Sequence, residues 1–174
     1  MADIDPRRTT HAHDGSLVVF LIGMRINRPW RPDLWFPVFQ AMPRMLAELA
    51  ADPGSGLLGS KLVFEPRSPW ILQWWESEEK LYAYASNPDA EHRPAWTEFN
   101  ARARKAPGAV GIWHETYVVG RAETMYVGMP VSGLARATSS VPVGRNADRA
   151  AARLAAGATG VERPGLERAS RSLS

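Results

Sequence analysis

Residues 17–24 form a nearly unbroken apolar run. It is far too short to cross a bilayer, which takes about 20 residues. A strand with one wet face alternates apolar and polar side chains, whereas a strand covered on both faces reads as a continuous apolar run. The sequence therefore predicts a covered strand over residues 16–26, and a fold in which something lies on either side of it.

The rest of the chain supplies the layers. Two prolines place a loop at residues 27–32. Residues 33–51 carry apolar side chains at helical spacing, with Pro37 and Pro43 expected to split or kink the helix, and residues 52–56 end it. Residues 57–64 and 70–75 read as two strands joined by a short connection. Ser77 is placed to cap a helix that runs to about Ser86, with Glu78 and Glu79 in its first turn. A second helical piece begins between Pro88 and Pro94 and runs to Lys105. Val110–Val118 is a strand, and residues 123–129 suggest one more. The order strand, helix, strand, strand, helix, strand is the split β-α-β pattern of an α+β, ferredoxin-like fold: one antiparallel sheet with helices on one face.

That layout leaves the other sheet face bare. A face rich in Trp, Ile and Val is not stable in water at this size. Two copies stacked face to face would cover it, predicting a homodimer of the dimeric α/β-barrel kind, with the hollow between the sheets as the reaction chamber. A layer folded from the C-terminal segment is the competing solution. The expected organisation is a flexible arm over residues 1–15, a ferredoxin-like domain over 16–130, and a Pro-, Gly-, Ala- and Arg-rich tail over 131–174. The tail is expected to hold one short helix near residues 147–156 and to be disordered from Gly157.

Composition removes several function classes. There is no cysteine, which rules out disulfides, thiolate chemistry and cysteine metal sites. Residues 135–174 carry seven Arg against three acids, while the remaining 134 residues carry 14 basic and 15 acidic groups. The net charge of +3 thus belongs to the tail, and the domain offers no electrostatic footprint for nucleic acid. No glycine-rich phosphate loop and no nucleophile elbow is present. The polar N-terminus and the lack of a spanning segment predict no membrane association and a cytoplasmic location.

The strand Val110–Val118 concentrates the candidate chemistry. Ile112, His114 and Thr116 share one face; Trp113, Glu115 and Tyr117 share the other. Alternation does not decide which face is inward, since both carry apolar neighbours. His114 is a candidate base or ligand, or a buried histidine bonded to Gln73 or Arg25. Glu115 is a candidate acid–base group, or the ion-pair partner of Arg25 or Arg28, because a buried carboxylate needs one. Neighbouring strand residues point apart, so His114 and Glu115 do not form a dyad. His92 falls at or near the start of the second helix, where it serves as base, ligand or hydrogen-bonded turn residue. Arg25, Gln73, Trp75, Trp96, Trp113 and Asn27 are candidate substrate contacts, with structural pairing as the alternative. The seven Trp line a pocket or an interface, or build the core. His11 and His13 lie in the expected arm, where they form no metal triad.

Three blocks, residues 20–27, 92–96 and 111–117, resemble the monooxygenase-like family named for a polyketide monooxygenase of fumagillin biosynthesis. That family sits among the dimeric α/β-barrel, antibiotic-biosynthesis-monooxygenase-like proteins. The resemblance covers residues 16–130. It implies a small oxygenase acting on an apolar or aromatic small molecule in a Trp-lined pocket. His92 or His114 would be the base, and no cofactor would be needed. It equally allows a haem protein with His92 or His114 as axial ligand, or a non-catalytic dimeric binding or stress protein.

Overall fold

The computed structural model describes residues 3–90 and 92–156. Among the described residues thirteen elements follow one another, and seven of them build the predicted ferredoxin-like unit. These are β2 (Val18–Ile26), α1 (Pro32–Ala51), β3 (Leu57–Val63), β4 (Trp70–Trp75), the helix pair α2 (Glu78–Ser86) and α3 (His92–Lys105), and β5 (Val110–Val118). The sheet order is β3-β4-β2-β5, antiparallel throughout. The apolar strand β2 is therefore central, as its continuous hydrophobicity requires.

Register sorts the side chains. Val18 pairs with Trp75 and Val118, Phe20 with Gln73 and Thr116, and Ile22 with Ile71 and His114. This set faces the helices. Val18, Leu49, Trp75 and Leu81 are buried together there, with Phe20, Leu57 and Tyr84 packed against them. Ser77 Oγ accepts from the Lys80 amide and caps α2 as expected.

α1 is one continuous helix through Pro37 and Pro43, not the split helix expected. Pro37 has no N–H for the carbonyl of Asp33. Arg102 of α3 fills that gap, its Nη1 donating to the Asp33 oxygen at 2.8 Å.

The N-terminal arm is not loose. It forms β1 (Asp5–Ala12), the middle strand of a second sheet with β6 (Tyr126–Met129) and β7 (Ser139–Pro142), in the order β6-β1-β7. Thr10 Oγ1 donates to the Thr124 carbonyl, and the His11 amide to Thr124 Oγ1. Polar bonding of this kind leaves no hydrophobic period in the sequence. Glu123 lies ahead of β6 rather than in it.

The segment after residue 130 is also more ordered than expected. Besides β7 it forms α4 (Gly133–Ala137), a 3-10 turn (Arg145–Ala147) and α5 (Ala150–Ala156). α4 lies over one end of the sheet face opposite the helices, where Leu17, Trp74 and Leu134 are buried together. A Cβ on Gly59 would stand 2.8 Å from Ala137 Cβ, so only glycine admits α4 this close to β3. The competing solution to the bare face is thus partly realised. The register of β3 slips by one residue between Leu57 and Gly59, so Leu58 and Gly59 follow one another on the α4 side while Leu57 lies in the helix-side core. The disorder expected from Gly157 concerns residues outside those described.

Candidate active site

A cavity of about 710 Å³ lies between the helix-side face of the large sheet and helices α1, α2 and α3. Its floor comes from alternate residues of two paired strands: Phe20, Ile22 and Met24 on β2, Ile112, His114 and Thr116 on β5. Its roof includes Met42 and Met45 on α1, and Trp96 and Phe99 on α3. Trp96 and Phe99 are stacked, ring centroids 5.5 Å apart. Methionine adapts to ligands of varied shape, and stacked rings offer a flat apolar surface.

The chamber therefore sits on the face opposite to the one expected. It is lined by one chain's own sheet and helices. The helices decide this: Leu49 of α1 and Leu81 of α2 pack onto the Val18 and Trp75 face, so the inward face of β5 is the one with Ile112, His114 and Thr116.

His114 is exposed and stands on the edge strand, so it borders the mouth of the cavity. Its ring lies against Phe20, with centroids 5.8 Å apart. It bonds to neither Gln73 nor Arg25; Phe20 is its neighbour. Among the described residues His114 is the one imidazole on the cavity wall. His92 opens α3, but its side chain lies outside those described.

The other candidates divide sharply. Trp96 lines the cavity. Gln73 and Trp75 do not: both are buried in the helix-side core, where Trp75 Nε1 donates to Gln73 Oε1 at 2.9 Å. Each thereby satisfies the other's polar group, a structural use of an amide in mid-strand. Glu115 lies across the sheet from His114 and pairs with neither Arg25 nor Arg28. Its carboxylate accepts from the Tyr117 hydroxyl at 2.6 Å, two residues along the same face. That bond holds the Tyr117 hydroxyl above its ordinary pKa. Arg25 is exposed on the same face, opposite Gly111 in register. Trp113 also stands there, 6.4 Å from Trp70 between ring centroids. A Cβ on Gly23 would meet the Trp113 ring at 2.7 Å, so that glycine makes room for the indole. Asn27 closes the loop after β2, donating from Nδ2 to the Gly108 carbonyl at 3.0 Å.

Four polar residues on the cavity wall escaped the sequence reading: Thr116 beside His114, and Arg93, Glu98 and Arg102 on α3. Arg102 carried a readable signal. It follows Ala95 and Phe99 at helical spacing, so an inward stripe ends in a guanidinium. Among the described residues, no group of three or more His, Asp or Glu could hold a metal ion, and no helix is long and apolar enough to cross a membrane.

The chain is similar to several known proteins. A family profile described as monooxygenase af470-like matches residues 17–134. A curated protein named monooxygenase af470, from Aspergillus fumigatus, is 29% identical over 140 residues, 72% of this chain and 49% of the relative. The chain thus spans about half the length of that relative. Among solved structures, SnoaB, a cofactor-independent oxygenase from Streptomyces nogalater, aligns with a TM-score of 0.44 at 15% identity. The alignment covers 60% of this chain and 94% of SnoaB. A dimeric ferredoxin-like protein of unknown function from Thermobifida fusca aligns with a TM-score of 0.42 at 17% identity, covering 62% and 95%.

Proposed function

The chain belongs to the monooxygenase af470-like family, and from that premise we propose that it oxygenates an apolar, enolisable or phenolic small molecule bound in the cavity over β2 and β5. The observation that carries this reading is His114, an imidazole on an otherwise largely apolar wall. An imidazole is the side chain best matched to proton transfer near neutral pH.

The residues divide the work as follows. The apolar floor and the Trp96–Phe99 pair bind the flat body of the substrate. His114 removes the proton from the enol or phenol, and the Thr116 hydroxyl on the same floor is placed to donate to the resulting anion. The anion is electron-rich enough to reduce oxygen itself. One oxygen atom becomes a carbonyl where the substrate had a CH₂ group, and the other leaves as water with the two hydrogens. No cofactor takes part in this route.

Oxygen uptake with dithranol, an enolisable tricyclic phenol, tests the reading. The wild type is expected to exceed the rate of autoxidation, and His114→Gln to fall by about a hundred- to ten-thousand-fold, the contribution typical of a general base. Equal rates in the two proteins would overturn His114 as the base. His114 also offers a ring nitrogen to a haem iron, so haemin titration belongs in the same series. A Soret shift that is lost in His114→Gln would replace the cofactor-free route with a haem site.

We further infer a homodimer in which a second copy covers what α4 leaves open, the half-buried surface around Leu21, Trp70 and Trp113. Light scattering is expected to give twice the 19.2 kDa chain mass; a single-chain mass at micromolar concentration would exclude it.

A further inference from the structure

The two most exposed large apolar side chains among the described residues, Trp30 at 71% and Phe64 at 69%, stand at the same end of the large sheet. Trp30 lies in the loop that leaves β2, and Phe64 in the loop that leaves β3. Hydrogen bonds tie these loops together. The Ile26 amide donates to the Arg67 carbonyl at 2.8 Å, and the Asn27 amide to the Ala109 carbonyl at 3.0 Å, which brings the turn ahead of β5 to the same end. β3 and β2 are separated by β4 alone, so the first two loops are rooted about 10 Å apart.

Both rings are carried on closed turns. Under Trp30, the Arg31 amide donates to the Arg28 carbonyl at 3.1 Å, and Trp35 Nε1 to the Pro29 carbonyl at 3.1 Å. Beside Phe64, the Ser68 amide donates to the Glu65 carbonyl at 3.0 Å, and the Arg67 guanidinium donates to the carbonyls of Ile26 and Asn27 at 3.2 and 3.3 Å. Rings held out on such turns need little further ordering to bind.

Charge is sorted along the same axis. Residues 27–33, 64–69 and 104–109 hold five basic side chains and two carboxylates. Both carboxylates are engaged locally, Asp33 with Arg31 and Glu65 with Trp70 Nε1. Residues 52–56 and 76–80, at the opposite end of the sheet, hold four carboxylates and one lysine. A near-neutral domain thus has one positive pole, and the exposed rings stand at it.

We propose that this end docks on an anionic lipid bilayer, with Trp30 and Phe64 at headgroup depth and Arg28, Arg67, Arg104 and Lys105 against the lipid phosphates. Aromatic rings flanked by cations are the side chains that settle at a bilayer interface. A second copy suits this end poorly, because about a two-fold axis the positive pole would meet itself. The chamber adds a reason for lipid. Leu62, Pro69 and Trp70 line it at this end, and Phe64 continues the side of β3 on which Leu62 lies. An apolar path therefore runs from the tip into the chamber, open to a ligand dissolved in the bilayer. Among the described residues no helix can cross a membrane, but a chain lies on a bilayer without crossing it. The sequence expectation of no membrane association rests on the want of a span or leader and does not bear on such docking.

Sedimentation of the full chain with lipid vesicles tests the proposal. Vesicles of phosphatidylcholine with about one-third phosphatidylglycerol should bind it at least about tenfold tighter than phosphatidylcholine alone, and the difference should shrink as salt is added. Trp30→Ser with Phe64→Ser should weaken binding to the mixed vesicles by at least about tenfold. Arg104→Gln with Lys105→Gln should weaken it by about fivefold for each cation removed. Glu78→Gln with Glu79→Gln, at the other pole, should leave it within about twofold. All six positions are exposed, so the denaturation midpoint should stay unchanged in each variant. No binding to the mixed vesicles, equal binding to the two vesicle types, or binding undiminished by Trp30→Ser with Phe64→Ser would overturn the proposal. So would a halved mass in light scattering for that variant, which would give this end to a second copy, and binding of polyuridine in place of vesicles, which would give it to nucleic acid. Vesicle binding without oxygen uptake keeps the docking end and removes the oxygenase, and uptake without vesicle binding does the reverse.

Discussion

The two sheets of this chain share an antiparallel ladder but are held by different forces. In the four-stranded sheet, Val18, Ile71 and Trp75 are 1–3% exposed, and the strands are fixed by what their side chains bury. In the three-stranded sheet, β1 carries charged and hydroxyl residues and is tied down by named polar contacts. Thr10 and His11 bond to Thr124, and Arg8 pairs with Asp148. Beside it, α5 is anchored by Arg153, which pairs with Glu123 and donates to the carbonyls of Ala147 and Asp148. The contrast teaches that hydrophobic patterning finds strands that burial makes, and passes over strands that particular partners make.

The sharpest way to break this comparison is to remove the largest side chain from each support. Trp75→Ala empties a site that is 1% exposed and orphans the Gln73 amide. It should cost about 3–5 kcal/mol of global stability, read as a shift of the chemical denaturation midpoint. Arg153→Met should cost less, about 2 kcal/mol, because Glu123 retains access to water. Its effect should be local: amide exchange should accelerate in α5 and the small sheet and stay unchanged in β2 and β4. Equal acceleration in both sheets would show that they unfold as one unit and that the distinction is only descriptive.

The smallest effect is a pH dependence confined to β1. Burial, aided by the neighbouring His13, holds the His11 imidazole below its ordinary value of 6.5. The folded state therefore keeps His11 neutral where the unfolded chain takes up a proton. The attachment is fully present above 6.5, weakens as the pH falls from there to the lower folded-state value, and levels off below it. Exchange of the β1 amides, corrected for the intrinsic rate, should rise across that window. His11→Asn should abolish the rise, and an unchanged rise in that variant would assign the effect to other groups.

Much of the large sheet was legible because each element carries its own mark. Residues 17–24 announce a central strand, Ser77 a cap, and Val110–Val118 a strand whose bounds match the structure. The helix-side core of Leu49, Leu81 and Trp75 follows from the same periodicities. The inward face of β5 was not legible, since Ile112 and Trp113 are both apolar and only the packing of α1 and α2 chooses between them. Gln73 and Glu115 look functional in a linear reading because a polar residue in an apolar strand demands a partner. The partners, Trp75 and Tyr117, lie two residues away on the same face and satisfy the demand locally. Pro37 looks like a break because its lost hydrogen bond is visible in sequence, whereas the replacement donor, Arg102, lies 69 residues beyond the Asp33 carbonyl it serves.

The one-residue slip in β3 has a consequence for how this chain tolerates change. At present Leu62 lines the chamber while Lys61, its neighbour, points away. Removing the extra residue, Leu58, would leave a regular ladder with Leu57 and Leu62 on their present faces. Removing Ser60 instead would force a choice. Either the slip is absorbed and Gly59 leaves its place beneath α4, or the strand beyond turns over and the Lys61 ammonium is aimed into the space meant for substrate. A deletion at that one position would thus rewrite the polarity of the binding chamber without altering any residue that touches it now.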